Sequence, residues 1–510
     1  MVKRWLAPAR NLTWFLLVIL LPVTSLSIVS KIMGGAMVSP PSVVFVALMV
    51  AIWLIPAFFN GLSLPRQVKP LLAFIVAALF SAFIAFFNPL PVYRDNPPGM
   101  ALLEAVITLG IGVCVYLVTT TWAADDERMR TTLRWINWSG LVMLAWSMAQ
   151  VAVWRLQGSY PDWMYAIQER ISITTLYNAR TTGLAFEPSW LAHQLNMLYL
   201  PLWLAAVVQR SSAHGWRVLR YFQFEDFLLI GGIGVLWFSV SRVGLLAFLL
   251  AVAYLLVRVN FWLVGMIQRR LTPRPRVSPG FEKIARPLLT FEIQILLLVI
   301  YFCFFFGVAY TLSLVDFRLA SLFNLTALRE EGLLYYAHQL LFAERVVFWE
   351  TGWNIFNNHP LLGVGLGNSG YYFQQALPGF GYNLTEVNML LYRQMVLPNV
   401  KSLWSRLLAE TGMVGFALFM SWLVGLFASA SRLLKSASAE KRRIGLAGHL
   451  ALMAFIIEGF SVDSFALPYY WITFGLLTAA AAGSSIYQSP KFAYNQSVPE
   501  KQSQRLEKQP

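Results

Sequence analysis

The sequence predicts an all-α integral membrane protein with about twelve transmembrane helices and a large, partly helical outer loop. Hydrophobic residues make up 58% of the 510 residues and charged residues 12%, and the mean hydropathy is +0.60. Many apolar runs approach the roughly 20 residues that a helix needs to cross a bilayer. Basic residues lie mainly in short segments between these runs, which is typical of membrane proteins with positively charged cytoplasmic loops.

Each predicted span is an apolar run of adequate length. The approximate limits are 12–30, 42–59, 70–88, 100–121, 133–154, 187–208, 226–241, 243–264, 288–314, 403–428, 444–462 and 466–486. Lys3 and Arg4 precede the first run, as in a secretory signal, but no convincing small-residue cleavage site follows. We therefore interpret the first run as an uncleaved span.

The distribution of basic residues predicts the orientation in the membrane. With the N-terminus inside, the short outer loops hold only Lys31 and Arg94. The inner segments hold Arg66, Lys69, Arg128, Arg130, Arg134, Arg210, Arg217, Arg220, Arg269, Arg270, Arg274, Arg276, Arg432, Lys435, Lys441, Arg442 and Arg443. Both termini are thus predicted to be cytoplasmic, with the loops 155–186 and 316–400 on the outer face. The basic residues behind the net charge of +15 lie mainly in these short inner segments, where they set the topology. We therefore expect no nucleic-acid partner.

The outer loop 316–400 is too rich in aromatic and aliphatic residues to be disordered, and loops of this length usually carry function. Its stretch from Arg345 predicts an amphipathic helix ending at Asn358 or His359, because Pro360 cannot continue it. A glycine-rich turn follows. Gly365 to Gly370 matches G-x-G-x-x-G, but the motif follows His-Pro instead of a strand, so it does not indicate a dinucleotide site.

Arg242 stands between two short apolar runs of the predicted bundle. One long helix would bury this arginine in lipid at a cost of at least about 2.5 kcal/mol. We therefore prefer a hairpin with Arg242 near its outer tip. A structural role, an arginine that caps helix ends, is the alternative to a functional one.

Two other polar clusters lie at the predicted outer face. In the first, Pro188 suits the first turn of a helix, and Arg180, Glu187 and His193 gather at the membrane edge. The alternative is a capped helix with a polar packing stripe. The second holds Arg345, His359, Arg393, Lys401, Arg406 and Glu410. The simplest interpretation of Arg406 and Glu410 is a helix salt bridge, and His359 is expected to hold the turn.

Arginines gathered at one face suggest an anionic ligand, since guanidinium groups bind phosphate oxygens in bidentate fashion. Trp353, Tyr371, Tyr372 and Tyr382 would suit sugar rings. The sequence has no Walker motif, serine-nucleophile elbow or metal-ligand cluster, and its two cysteines, Cys114 and Cys303, give no disulfide framework. We therefore expect no metal and no cofactor.

Taken in order, these motifs resemble the O-antigen ligase and O-antigen polymerase superfamily of bacterial inner-membrane enzymes. The matching parts are Ser241-Arg242 opening a span, His359-Pro-Leu-Leu-Gly-Val-Gly-Leu-Gly-Asn368, and Leu407-Leu-Ala-Glu-Thr-Gly-Met-Val-Gly415. The resemblance covers roughly 180–480. It divides the chain into N-terminal transmembrane helices (1–179), a ligase/polymerase-like core (180–486) and a disordered cytoplasmic tail (487–510).

The resemblance implies a metal-independent membrane glycosyltransferase acting on the outer face of the inner membrane. The donor would be a polyprenyl-pyrophosphate-linked glycan, and the acceptor a hydroxyl of another glycan. Catalytic roles are expected for Glu187, Arg242 and Arg345, and substrate binding for Arg180, His193, Arg393, Lys401 and Arg406. Glu187 is preferred to His193 as the proton acceptor. Membrane lipid, a chain-length regulator and a flippase are the expected partners.

Glu187-Pro-Ser189 after Arg180 is similar to polymerase-type members for capsule or exopolysaccharide. Ligase-type members usually carry a His-Asn pair where this chain has Lys401-Ser402, which also favours a polymerase. The arginine-to-glycine spacing of some O-antigen polymerases is missing. A ligase that transfers glycan to a lipid or protein acceptor is the second hypothesis. A polysaccharide or lipid-linked-sugar transporter is disfavoured, because the charges concentrate at the ends of the spans.

Overall fold

The computed structural model describes residues 2–32, 39–94, 96–217, 222–271, 279–314, 326, 329–330, 342–393, 396–483 and 486. Within these ranges the protein is all-helical, with one isolated bridge between Ser25 and Ser39. The predicted fold class is confirmed. The tail 487–510 and most of 316–341 lie outside the described residues.

The described helices are labelled α1 to α17 in chain order. Their bounds are Val2–Ile19 (α1), Ser27–Ile32 (α2), Ser42–Phe59 (α3), Lys69–Phe86 (α4), Pro98–Trp122 (α5), Asp126–Gln157 (α6), Asp162–Ile171 (α7), Pro188–Gln209 (α8), Phe224–Ser239 (α9), Arg242–Leu271 (α10), Pro279–Ser313 (α11), Ala343–Asn358 (α12), Phe373–Ala376 (α13), Thr385–Asn388 (α14), Leu403–Leu433 (α15), Ala439–Glu458 (α16) and Pro468–Ala482 (α17). Short 3-10 and π turns add to these between Ser369 and Arg393.

Eight of the described helices are long and apolar enough to cross a membrane: α3, α4, α5, α6, α8, α10, the Phe291–Val308 part of α11, and α15. Helices α9 and α17, with 16 and 15 residues, are shorter than a typical span. The number of about twelve spans therefore stays a prediction. The first predicted span, 12–30, is not one helix, since α1 ends at Ile19 and Pro22 cannot continue it.

Helix α17 forms the centre of the bundle. All residues from Pro468 to Ala479 are buried, and α17 packs against α5, α15 and α16. A helix that is apolar all round is stable only when other elements surround it. Two of its threonine hydroxyls bond inside the bundle: Thr478 bonds to Tyr116 at 2.8 Å, and Thr473 donates to the carbonyl of Met197. That carbonyl has no i+4 donor because residue 201 is a proline, and a π turn, Leu195–Tyr199, forms there in α8.

Segments predicted for the same membrane face contact one another, which gives two groups of contacts at the two ends of the bundle. At one end, Ser27 donates to the carbonyl of Glu169, and Tyr93 donates to the carbonyl of Leu390. At the other end, Arg130 pairs with Glu440, and Arg443 donates to the carbonyl of Ser211. This grouping agrees with the predicted alternation of the chain, and we call the first group the loop end.

Helix α15 is broken at Gly412, which has φ +62° and ψ −166°. The glycine-rich turn fills the break. Val364 N donates to the carbonyl of Ala409, and Gly365 N donates to the carbonyl of Glu410, at 2.9 and 3.0 Å. Beyond the break, Met413 N and Val414 N donate to the carbonyls of Pro360 and Leu361, at 2.9 and 3.2 Å. The outer loop thus supplies the backbone partners that the break removes from the helix.

We predict that Gly412→Ala destabilises the protein by about 1–3 kcal/mol, because this backbone conformation is essentially limited to glycine. An added Cβ would also lie 2.3 Å from the carbonyl oxygen of Leu361. The measurement is the melting temperature of detergent-purified protein. Gly425→Ala is the matched control on the same helix, since its Cβ meets nothing within 4 Å. Equal melting temperatures for the two variants would contradict the prediction.

Candidate functional site

The start of α8 carries the first predicted cluster. Glu187 precedes Pro188, which begins the helix as predicted, and the half-buried carboxylate of Glu187 accepts a hydrogen bond from Ser189 Oγ. Tyr177 lies in the same group: burial raises the pKa of its hydroxyl, Glu187 raises it further, and Arg180 opposes the change. A carboxylate, an arginine and a phenol therefore share one electrostatic environment.

Arg180 reaches the turn that precedes Arg242. Its Nε donates to the carbonyl of Ser239 at 3.0 Å, and its Nη2 donates to that of Val240 at 3.4 Å. Helix α9 ends here with Val240 in the left-handed conformation, and α10 begins at Arg242. The preferred two-helix arrangement of 226–264 is therefore confirmed. Arg180 therefore caps the C-terminus of α9, and Val240, whose carbonyl it contacts, lies two residues before Arg242 in the chain.

A buried polar triad joins α8 to α16. His193 Nδ1 lies 3.1 Å from Glu458 Oε2, and Asn196 Nδ2 donates to Glu458 Oε1 at 2.7 Å. All three residues are buried: His193 is 0% exposed, Asn196 is 1% exposed and Glu458 is 2% exposed. Asn196 Nδ2 also donates to the carbonyl of Gly244 at 2.7 Å. The triad therefore connects three helices: α8, α10 and α16.

Arg406 and Glu410 form the predicted i, i+4 pair on α15, with 3.1 Å between Nε and Oε2. Ser369 Oγ donates to the other oxygen of Glu410 at 2.9 Å, and Arg406 Nη1 donates to the carbonyl of Asp463 at 2.8 Å. Glu410 is 2% exposed. The pair thus ties the outer loop and the α16–α17 connection to the helix break.

Arg345 and Lys401 belong to a charged group on the outer loop. Lys401 pairs with Glu386, lies 4.6 Å from the ring centre of Phe348, and has a positive φ of 45°. The backbone N–H of Glu386 donates to Glu344 Oε1 at 3.3 Å. Burial raises the pKa of Glu344. Burial would also raise the pKa of Glu386, but Lys401 and Arg345 together lower it.

An apolar groove of about 650 Å³ lies between α12, α15 and α16. Its lining includes Trp349, Trp353, Trp404, Phe416 and Phe455, with Glu350 as a polar residue at one side. Trp349 Nε1 donates to the carbonyl of Phe460 at 3.1 Å and so fixes α12 to the end of α16. The groove begins one residue beyond Arg345 along α12.

The predicted site residues fall into two groups of contacts in the structure. Arg180 contacts the turn that precedes Arg242, and Arg180 and Glu187 act in opposite directions on the pKa of Tyr177. Arg345 and Lys401 lie in the separate group around Glu386, and Arg393 is exposed at the end of a π turn. The expected gathering of Arg345 with Arg180 and Arg242 at one face stays a prediction.

Two acidic residues were missed from the sequence. Glu458 stands within the predicted span 444–462, so the rule that ionisable residues inside a membrane are functional could have found it. Glu386 is one of six acidic residues in the outer loop 316–400, and no pattern distinguishes it from the others. Among the described residues, no group of three or more His, Cys, Asp or Glu side chains could hold a metal ion.

The fold and this site define a multi-pass α-helical membrane protein with a charged site at the loop end of its bundle. A family model described as O-Antigen ligase matches residues 227–420. The match confirms the resemblance to the O-antigen ligase and polymerase superfamily, and it supports glycan transfer by a membrane glycosyltransferase-like enzyme that uses lipid-linked glycan. Arg242, Arg345, Arg393, Lys401 and Arg406 lie inside the matched range. No curated protein matches the chain.

We predict that the Lys401–Glu386 pair survives acidification to about pH 5. Because the pKa of Glu386 is lowered, its stabilising contribution is complete above the unfolded value of about 4.3 and is lost only as the pH falls through the lower folded value. The side chains are 26% and 33% exposed, so the pair contributes about 1 kcal/mol or less.

Hydrogen exchange of peptides covering 384–393 measures this contribution. We expect unchanged protection between pH 7 and pH 5 in the wild type, and faster exchange in Lys401→Met at pH 7. Lys435→Met, an exposed lysine beyond α15, is the control. Loss of wild-type protection near pH 6 would contradict the prediction.

Proposed function

We propose that this protein polymerises polyprenyl-pyrophosphate-linked oligosaccharide repeat units on the outer face of the bacterial inner membrane. The observation that carries the proposal is the meeting of Arg180, the start of α10 at Arg242, and Glu187 at one end of the bundle. In this proposal the loop end faces the periplasm, both termini are cytoplasmic, and 180–486 forms the catalytic core. Neither a metal nor a cofactor takes part.

The arginines hold the pyrophosphate of the donor. Guanidinium groups stay charged in a low-dielectric setting and bind phosphate oxygens with defined geometry. The N-terminus of α10 adds a partial positive charge at Arg242. This arrangement stabilises the charge that develops on the leaving pyrophosphate.

Glu187 takes the proton of the acceptor hydroxyl. The acceptor oxygen forms a bond to the anomeric carbon of the donor sugar, the bond from that carbon to the pyrophosphate oxygen breaks, and the pyrophosphate leaves with the electron pair. Glu187 is half-buried and begins a helix, so it is available to a sugar at the membrane edge. Arg345 on α12 contacts the donor from the loop side in this proposal, with Arg393 as a further contact, whereas Lys401 and Arg406 are held by carboxylates.

The apolar groove beside α12 suits the isoprenoid chain of the donor. Its lining is almost entirely apolar, and Arg345 stands next to it on the same helix. A lipid tail in the groove would place a pyrophosphate near the loop end. Apolar chains gain about 0.8 kcal/mol per buried methylene, so a long isoprenoid gives substantial binding free energy.

A ligase is the second candidate function, favoured by the family match, whose description is O-Antigen ligase. Lys401 argues for the polymerase, because it stands where ligase-type members have the first residue of a His-Asn pair, and it is held by Glu386. Deletion of the protein separates the two functions. A strain without a polymerase keeps single repeat units on its surface glycan, whereas one without a ligase accumulates long lipid-linked chains. A flippase and a chain-length regulator are the proposed partners.

We predict that Arg242→Ala lowers polymer formation at least about a hundredfold, the lower end for removing one electrostatic stabiliser of a transition state. The measurement is the length distribution of product formed from lipid-linked repeat units in membranes, normalised to the amount of protein. Arg130→Ala at the opposite end is the control, because its side chain is 56% exposed. Full activity of Arg242→Ala would rule out the role.

We predict that Glu187→Gln is made in normal amount, binds lipid-linked donor, and turns over at least about a hundredfold more slowly, as expected when a general base is lost. Glutamine keeps the size and the hydrogen bond to Ser189 but cannot take a proton. Glu169→Gln, an exposed residue of the loop 155–186, is the matched control. Near-normal turnover of Glu187→Gln would leave Glu187 as a helix-capping residue, and His193 would be tested next.

A further inference from the structure

Glu458 is a buried carboxylate that the proposed reaction does not use. Glu458 is the last residue of α16 and is 2% exposed. Each of its carboxylate oxygens contacts a residue of α8: His193 Nδ1 at 3.1 Å and Asn196 Nδ2 at 2.7 Å. Replacing a whole buried ion pair or triad by well-packed apolar residues is often neutral or stabilising, although removing one member alone is costly. Stability alone therefore does not explain its presence, and a role in fixing one arrangement of the helices is a reasonable inference.

Asn196 extends this connection to α10. Its Nδ2 is shared between Glu458 and the carbonyl of Gly244, at 2.7 Å each. Gly244 also touches α8 directly, because a Cβ added there would lie 2.4 Å from the Cβ of Ala192. Gly244 is two residues from Arg242. The contact with Asn196 therefore fixes the first turn of α10 and, with it, the origin of the Arg242 side chain.

Glu187 immediately precedes the same helix, α8. His193 is six positions beyond Glu187 in the chain, about 9 Å along a helix. Within that distance the chain has no flexible link, since Pro188 starts the helix and the segment to Gln194 is regular. The bonds from His193 and Asn196 to Glu458 therefore also set where Glu187 stands.

We propose that Glu458 and Asn196 are positioning residues for the glycosyl transfer, fixing the start of α8, with its proton acceptor, against the start of α10, with its pyrophosphate-binding arginine. This inference rests on the proposed function. Its mechanism is geometric: a displacement of about 1 Å between reacting groups can lower a rate about a hundredfold.

The test compares turnover of lipid-linked repeat units by four variants in membranes, each normalised to folded protein. Glu458→Ala removes both contacts, and Asn196→Ala removes the connection to Gly244 while leaving the His193–Glu458 contact in place. Both should lower turnover at least about tenfold. Glu458→Gln can accept from Asn196 and donate to His193, so it should stay within about threefold of the wild type. Glu440→Ala, at the other end of α16, is the control.

A double-mutant cycle identifies what the connection acts on. In an Arg242→Lys background, Asn196→Ala should lower turnover by less than it does alone, because the two changes disturb one arrangement. Losses that multiply would contradict the positioning role. Unchanged turnover in Asn196→Ala, or an equal loss in Glu458→Gln and Glu458→Ala, would also overturn it.

Two further outcomes are distinguishable. If Glu458→Ala does not fold, Asn196→Ala and Glu458→Gln still decide the question, because each keeps a partner for the buried carboxylate or its replacement. If the wild type itself makes no polymer from lipid-linked repeat units, the proposed function fails. Product from the wild type, together with normal product from Asn196→Ala, would overturn only the positioning role.

Discussion

Backbone polar groups inside an apolar bundle must all find partners, and this constraint determines where the chemistry of this protein can be. Helices satisfy the requirement everywhere except at their ends and breaks. The end of α9 is satisfied by Arg180, which donates to two of its carbonyls, and the break at Gly412 is satisfied by the glycine-rich turn. The clusters around Arg180 and Glu410 both lie at such points.

The same constraint explains why distant parts of the chain meet. Glu410 stands beside the break in α15, where its carbonyl oxygen accepts from Gly365 and its carboxylate accepts from Ser369. Both donors come from the outer loop. The loop is therefore attached through the backbone of the helix that follows it, and α12 is fixed separately by Trp349. A loop attached at two places can hold its charged group in a defined position over the bundle.

Much of this arrangement could be predicted from the sequence. Pro188 and Pro360 predict a helix start and a helix end, and the cost of burying Arg242 predicts the break before α10. These predictions succeed because local chemistry decides them. The triad around Glu458 could not be predicted, because it joins residues 193, 196 and 458, and nothing in the sequence pairs a histidine on one apolar run with a glutamate on another. The break at Gly412 could not be predicted for a similar reason, because its backbone hydrogen-bond partners come from a distant segment, residues 360–365.

Two carboxylates form ion pairs with two of the predicted cationic site residues. Arg406 contacts the buried Glu410, and Lys401 contacts Glu386, so an anionic donor would have to compete with a carboxylate for either of them. Breaking the buried pair would leave Glu410 unpaired at 2% exposure, which typically costs about 3–5 kcal/mol. The structural interpretation of Arg406 is therefore favoured over direct substrate binding. At the start of α10 the helix dipole adds to the charge of Arg242, so a pyrophosphate gains from two sources of positive potential at one point. These two sources together favour the turn at 239–242 as the place for the charged end of a lipid-linked donor.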